Sequence, residues 1–417
     1  MQRGTTHIIG AGLAGLAAAV QLSERGRPVV IHELARHAGG RCRSYFETAL
    51  GLTIDNGNHL ILSGNTAAVG FIDKIGSRAK LAWPHEAEFA FCDLASGERW
   101  RLRPNAGSLP WWIFAADRRV PGTRATDYLV LARLLAGTRG KTVGGLLDKG
   151  SVLHHKLFEP VLLAALNTEL DAASADLAGA VIRETLARGG NACRPLFAPE
   201  GLGPVLIDPA LAFIERRGGK VQFDHALRGF EFEDGRAAVL NFAEGAVRLG
   251  ADDTVILAVP AWVARTLVPD LATPTQYRAI LNAHFKVPRP AGCPRIQGVI
   301  NGTTEWLFAF DDRLSITVSA ADRFNETERE PLARQLWAEV ATLAGAGGEM
   351  PPWQIVKERR ATFAATPAEN ARRPHAATHW RNLHLAGDWT ATGLPATIEG
   401  SVRSGETAAG LALRVAA

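Results

Sequence analysis

The sequence predicts an α/β protein in which a Rossmann-like dinucleotide-binding domain is split along the chain and an α+β substrate domain is interleaved with it. Three observations carry this. Residues 7–33, HIIGAGLAGLAAAVQLSERGRPVVIHE, read as strand, glycine-rich turn, helix, strand and acid. Residues 382–413, NLHLAGDWTATGLPATIEGSVRSGETAAGLAL, read as a second strand, turn and helix close to the end of the chain. A length of 417 residues exceeds one small core and suits two lobes.

The first strand ends at Ile9, and Gly10-Ala11-Gly12-Leu13-Ala14-Gly15 makes the turn. A helix of small and apolar residues runs to about Arg25, with Gly26 as its stop. Gly10 permits the tight turn, Gly12 lets backbone approach a pyrophosphate, and Gly15 lets helix and strand pack closely. The helix N-terminus adds free amides and partial positive charge. A second strand, 28–32, delivers Glu33, whose carboxylate suits a ribose 2′-hydroxyl and repels a 2′-phosphate. NADPH is thereby disfavoured, while NAD and FAD stay open. A secretory signal over 7–22 fits poorly, because a single Arg precedes it and Gly10, Gly12 and Gly15 interrupt it.

HAGGRCRSY follows, placing Gly39, Gly40 and Arg41 beyond the second strand. Paired glycines allow close backbone approach, and an Arg holds phosphate oxygens with a charge-assisted fork. Together with the glycine turn and Glu33, this segment resembles the flavoprotein family of amine oxidases, carotenoid desaturases and protoporphyrinogen oxidases. The resemblance implies FAD and a fold of the amine oxidase type. It also implies that the chain returns to the nucleotide domain at its end: strand 383–386, Gly387 and Asp388 at the strand tip, and a helix from about Ala396 to Leu413. Asp388 would accept hydrogen bonds from the ribityl chain, Pro395 would sit in the first helical turn, and the amides of Thr397 and Ile398 would face the flavin N1–C2 carbonyl edge, where negative charge accumulates on reduction. Between these ends, VQFDHALRGFEFEDGRAAVL alternates like strands around a turn at Asp234-Gly235, and DTVILAVP reads as a buried strand closed by Pro260. The resemblance assigns Leu227 to the adenine. No Cys follows Cys293 to reach the ring edge, so the flavin is expected to be non-covalent. The FAD-binding domain is then 1–75, 200–260 and 376–417, and the substrate domain 76–199 and 261–375.

Composition narrows the class. Apolar residues make up 47% and charged residues 21%, which suits a folded globular chain. Lys plus Arg number 46 against 42 Asp plus Glu, a mild excess, and the basic residues lack the aromatic stacking pattern of a nucleic-acid binder. Cys42, Cys92, Cys193 and Cys293 form no Cys-x-x-Cys pair, so no metal site is expected and a reducing cytoplasm is the simplest setting. No apolar run reaches the roughly 18 residues of a membrane span.

Only three tyrosines, Tyr45, Tyr128 and Tyr277, occur, and none lies in the C-terminal flavin segment, which weighs against an amine oxidase with its aromatic cage. Longer strings carry a closer resemblance. DNGNHLILSGN (55–65), LPWWIFAADRRVPGTRATDYLVLARLL (109–135), LNAHF (281–285) and AGDWTATGLPATIEGSVRSG (386–405) resemble the hydroxysqualene dehydroxylases, squalene-associated flavoproteins of bacterial hopanoid clusters. That resemblance implies loss of water from an allylic alcohol on a long isoprenoid chain, then hydride delivery from reduced FAD N5 to the allylic cation, in a pocket dry enough to prevent recapture. His59, Asn282 and His284 are the candidate polar groups: His59 because DNGNH leads onto the flavin face in the family, the other two because they share a strand face with Lys286 by the period of two. Asp55 reads as structural. A carotenoid-type desaturase, running hydride the other way, is the alternative; an amine oxidase and a non-catalytic isoprenoid carrier are further readings. A triterpenoid substrate implies a bilayer. LPWWIF followed by Arg118, Arg119, Arg124, Arg133, Arg139 and Lys141 offers apolar insertion beside basic charge, on the inner face of the membrane, or equally a core helix with a solvated face. The electron donor to FAD has no motif.

Overall fold

The computed structural model describes residues 4–136 and 138–415. Residues 1–3 and 416–417, at the two ends of the expected nucleotide-binding lobe, lie outside them, as does Gly137. Thr6–Ile9 is buried along its whole length because it is the middle of a five-stranded parallel sheet, in the order Leu383–Leu385, Thr254–Leu257, Thr6–Ile9, Val29–His32, Lys220–Gln222. A parallel strand covered on both faces favours apolar residues, here Ile8 and Ile9, and its two polar members are paired across the sheet, Thr6 Oγ1 with Thr254 Oγ1 at 2.9 Å and His7 Nδ1 with His32 Nε2 at 3.0 Å. The sheet draws on the N-terminal, middle and C-terminal thirds of the chain, so the tail is built into the first domain's core.

The crossover helix Leu13–Glu24 is buried at all but Gln21 and Glu24. Its small residues admit a second helix, Ile398–Val415, at close range: a Cβ on Gly405 would stand 2.2 Å from the Ala14 carbonyl oxygen. A three-stranded meander, Leu227–Glu233, Arg236–Phe242 and Gly245–Arg248, covers one end of the sheet, and its first turn has positive φ at Asp234 (47°) and Gly235 (71°), the I′ geometry that matches strand twist.

A seven-stranded sheet forms the second layer, in the order Trp353–Phe363, Tyr277–Phe285, Leu314–Val318, Trp306–Ala309, Ile296–Ile300, Phe89–Asp93, Arg99–Leu102. Leu281, Ala283, Phe285 and Ile316 pack on one face against Leu336, Trp337 and Val340 of the helix Arg329–Ala344. Register fixes the opposite face. His284 pairs with Ser315 and Asn282 with Thr317, these with Phe308 and Trp306, and Trp306 leads through Gly298 to Phe91 and Trp100. This face is polar at one end and aromatic at the other, where Phe91 stacks on Trp100 at 5.4 Å and meets the edge of Trp306 at 5.8 Å.

Three expectations shift. The last helix begins at Ile398 rather than near Ala396, so Pro395 lies outside its first turn. Thr397 Oγ1 accepts from Gly400 N at 3.0 Å, and a side-chain cap sets the start in place of a proline at the first position. Lys286 falls past the end of Tyr277–Phe285 and is exposed, so it does not share the polar face. Residues 109–135 form no core helix: Trp111–Phe114 and Ala125–Val130 are 3₁₀ turns and Leu131–Leu135 a short helix. Among the described residues no helix is long and apolar enough to cross a membrane.

Candidate active site

The glycine turn has the geometry its spacing implies. Gly10 has φ 106°, and a Cβ there would meet Ala258 O at 2.6 Å; a Cβ on Gly15 would meet Gly10 O at 2.0 Å. Gly12 differs: no atom lies within 4 Å of its Cβ position, so open space stands above the backbone where the helix N-terminus begins. Glu33 Oε2 accepts from Ala11 N at 2.6 Å and Oε1 from Ala35 N at 2.9 Å. The carboxylate thus braces the turn and sits half-buried at its mouth. Leu227, part-buried, opens the meander strand beside it, with His225 N bonded to Glu33 O at 2.9 Å.

Gly39 and Gly40 fold over the same turn. Gly39 N donates to Ala11 O at 2.8 Å, and Gly40, at φ 53°, brings its Cβ position to 3.5 Å from Gly12 Cα. Arg41 then crosses to the tail: its Nη2 donates to both oxygens of Asp388 at 2.8 and 2.7 Å, and Nη1 bonds to Ala361 O. Gly387, at φ 149°, leaves room for the Trp389 indole, which would stand 2.3 Å from a Cβ. Asp388 is buried, and Arg373, also buried, fixes its carbonyl at 3.0 Å and Thr392 Oγ1 at 2.7 Å. No motif marks Arg373, which reaches these groups from the loop after Pro367–Ala371. Among the described residues, the Thr397 and Ile398 amides are engaged by no hydrogen bond.

The catalytic candidates divide. His59 is half-buried, and its Nδ1 lies 2.8 Å from Gly57 O. A carbonyl only accepts, so Nδ1 carries the proton and the neutral ring presents a lone pair at Nε2. Burial lowers the His59 pKa, against the opposing effects of the Gly57 bond and of Asp55. Asn282 is 1% exposed and acts from behind: its Oδ1 accepts from Thr317 Oγ1 at 2.8 Å and Asn58 N at 3.3 Å, while Nδ2 stands 3.4 Å from the Cβ position of Gly57. It therefore braces the loop that carries His59, and its Nδ2 is buried without a hydrogen-bond partner among the described residues. His284 departs further from expectation. It is 0% exposed, bonded to Ser315 Oγ at 2.8 Å, with a pKa pushed down to about 3 by burial and then by Arg313. A neutral imidazole sealed inside a sheet is not presented to substrate. Asp55 is buried and its Oδ1 accepts from Ser44 Oγ at 2.5 Å and Leu202 N at 3.0 Å, a structural knot.

These features fit a flavin dinucleotide: a glycine turn open above Gly12, a carboxylate at the second strand, an Arg beside that turn, and unengaged amides at a second helix. The four cysteines are buried and free, and no cluster of metal-ligating residues occurs among the described residues.

Comparison with known proteins agrees. The family model described as flavin containing amine oxidoreductase matches residues 13–413. A hydroxysqualene dehydroxylase of Rhodopseudomonas palustris is 54% identical over 410 residues, covering 98% of each chain, and one of Sinorhizobium fredii is 51% identical over 407 residues with the same coverage. The solved structure of cyclohexylamine oxidase from Brevibacterium oxydans superposes with a TM-score of 0.71 over 99% of each chain at 14% identity, which speaks for the fold.

Proposed function

The chain belongs to the flavin-containing amine oxidoreductases and, within them, to the hydroxysqualene dehydroxylases, and we propose on that premise that it converts hydroxysqualene to squalene. FAD, when bound and reduced, supplies the hydride. The chain's own residues bind, orient and exclude water. Gly12, Glu33, Gly40 and Arg41 would hold the adenosine diphosphate half, with Leu227 against the adenine. Gly387, Asp388, Thr397 and Ile398 would hold the ribityl and pyrimidine parts.

His59 is the one candidate that combines partial exposure with a fixed tautomer, and this observation carries the catalytic assignment. With a proton taken up from solvent at Nε2, the imidazolium donates to the substrate hydroxyl and aims the C–O bond, which breaks with water as the leaving group. The burial that lowers the His59 pKa makes that imidazolium the stronger acid. Asn282 orients the loop and His284 fills the sheet behind it.

A separate electron donor must return two electrons to the flavin after each turnover. The triterpenoid reaches the enzyme from a bilayer, so we place the protein on the cytoplasmic membrane surface. Leu109, Trp111, Phe114 and Leu129 are 79%, 53%, 73% and 70% exposed, and Arg118 stacks on Trp111 at 5.1 Å, a basic and apolar surface of the kind that meets anionic headgroups.

The deciding experiment is anaerobic. Photoreduced enzyme receives hydroxysqualene while the flavin band and the product mass are followed together. Reoxidation with squalene appearing supports the assignment. Squalene bleaching oxidised enzyme instead would reverse the direction of hydride transfer.

A further inference from the structure

Glu399 lies in the first turn of Ile398–Val415 with its side chain 2% exposed, and it caps a helix to which it does not belong. Ala67 N donates to its Oε1 at 3.0 Å and Ala68 N to its Oε2 at 2.8 Å, two amides at the start of the helix Thr66–Ile75. Asn65, which precedes that helix, gives its side-chain oxygen to Leu62 N at 2.8 Å and leaves the position to Glu399. Arg403, one turn further on, completes the arrangement. Its Nε donates to Glu399 Oε1 at 2.8 Å, and Nη1 and Nη2 donate to the two oxygens of Glu184, each at 2.7 Å. Glu184 ends the helix Ala175–Glu184 and lines a cavity of about 480 Å³ that Thr392 and Gly393 border from the tail.

The electrostatics of this bracket are specific. A helix N-terminus carries partial positive charge over its first turn, and a buried carboxylate in that turn offsets it. Pairing with a guanidinium restores the balance, whereas removing the guanidinium alone leaves the buried charge to the Ala67 and Ala68 amides, with no cation beside it. Resting on the flavin site proposed above, we infer that Arg403 is a positioning residue for it. Arg403 balances Glu399, so the unengaged amides at Thr397 and Ile398 keep their positive field, and its fork to Glu184 fixes the Ala175–Glu184 helix against the flavin-facing one.

The test uses full-length protein loaded with FAD and reads the midpoint potential of the bound flavin by dye-equilibrated reduction, together with the FAD dissociation constant. Reduction adds negative charge, so Arg403→Met is expected to lower the potential: a tenfold loss in the equilibrium for reduction is about 30 mV for a two-electron couple. Arg403→Lys, which keeps the charge but not the fork, should recover most of that shift. The double variant Glu399→Gln/Arg403→Met removes both charges and should return to the wild-type potential. Should Arg403→Met fail to accumulate, Glu399→Gln carries the comparison with opposite sign, an upward shift. A wild-type potential in Arg403→Met, or in Glu399→Gln, rejects the inference, as does a double variant still shifted downward. Failure of the wild-type protein to bind FAD would instead overturn the flavin site itself.

Discussion

Gly405 and Gly410 offer a matched pair on one helix. A Cβ at Gly405 would stand 2.2 Å from Ala14 O and 3.0 Å from Ala17 Cβ, contacts with the backbone and side chains of Leu13–Glu24, while nothing lies within 4 Å of the Cβ position of Gly410. Replacing a helical Gly by Ala stabilises by up to about 1 kcal/mol through propensity alone. Gly410→Ala should show that gain. At Gly405 the oxygen is backbone and cannot rotate away, so the helices must part by about 1 Å, and overpacking of this kind costs about 1–3 kcal/mol. Set against the full propensity gain, the net loss is then up to about 2 kcal/mol. With 417 residues at about 2.1 cal/mol/K each, unfolding entropy is about 0.9 kcal/mol/K, so Gly405→Ala should melt up to about 2 °C below wild type and Gly410→Ala up to about 1 °C above it. Apo-protein scanning fluorimetry, with both variants in one run, resolves such a gap. The larger effect should fall on FAD affinity, because the parted helices are those whose N-termini flank the proposed cofactor, and about a tenfold loss in binding is expected. A Gly405→Ala protein as stable as Gly410→Ala, with wild-type FAD affinity, would refute this account of how the tail joins the first domain.

Gly12→Ala should fold with a wild-type melting temperature, since its Cβ enters open space, yet bind FAD at least tenfold more weakly by isothermal titration. His59→Ala should purify yellow and FAD-loaded with turnover slowed about 10²-fold, the lower range for a lost general acid; turnover at the wild-type rate would remove His59 from the mechanism. Acid should destabilise the protein through His32 and His284, both held near a pKa of about 3 in the fold against 6.5 when unfolded. Their contribution is complete above about pH 6.5 and falls by up to ~1.4 kcal/mol per histidine for each pH unit below it, so urea midpoints should drop between pH 7 and pH 4.5. Substituting Arg118, Arg119 and Arg124 by Glu together should release the protein from anionic liposomes in a flotation assay, and retention would reject the electrostatic part of membrane docking.

Much of the fold was legible because its logic is local. The strand, glycine turn, helix and acid of residues 7–33 specify one another within a single supersecondary unit, and each glycine is needed by a backbone conformation or a close approach. The tail was readable as a return to the same sheet only through the resemblance to the flavoprotein family, because GDW and the turn after it carry no local pattern that names their partner strand. The helix start was misjudged because Pro at a first position and Thr as a cap are both sound local signals, and the choice turned on a hydroxyl that bonds three residues ahead. His284 illustrates a different limit. Alternation put it correctly on the face it shares with Asn282, but alternation does not measure depth, and the covering segment with Asn58 comes from more than two hundred residues earlier in the chain.

The residues that bind the site together were the least legible, for a physical reason. Glu184 and Arg403 meet across 219 residues and Arg373 reaches Asp388 and Thr392 across 15 and 19, and a guanidinium advertises nothing about which carboxylate or carbonyl it will meet. Glu399 and Arg403 stand four apart, a pair that reads as ordinary helix-surface support worth a few tenths of a kcal/mol. Folding converts it into something else, because the start of Thr66–Ile75 and the end of Ala175–Glu184 arrive on either side and bury Glu399 to 2% exposure. A substitution at Arg403 is therefore expected to act on the flavin's redox balance, an effect that the local sequence pattern would not suggest.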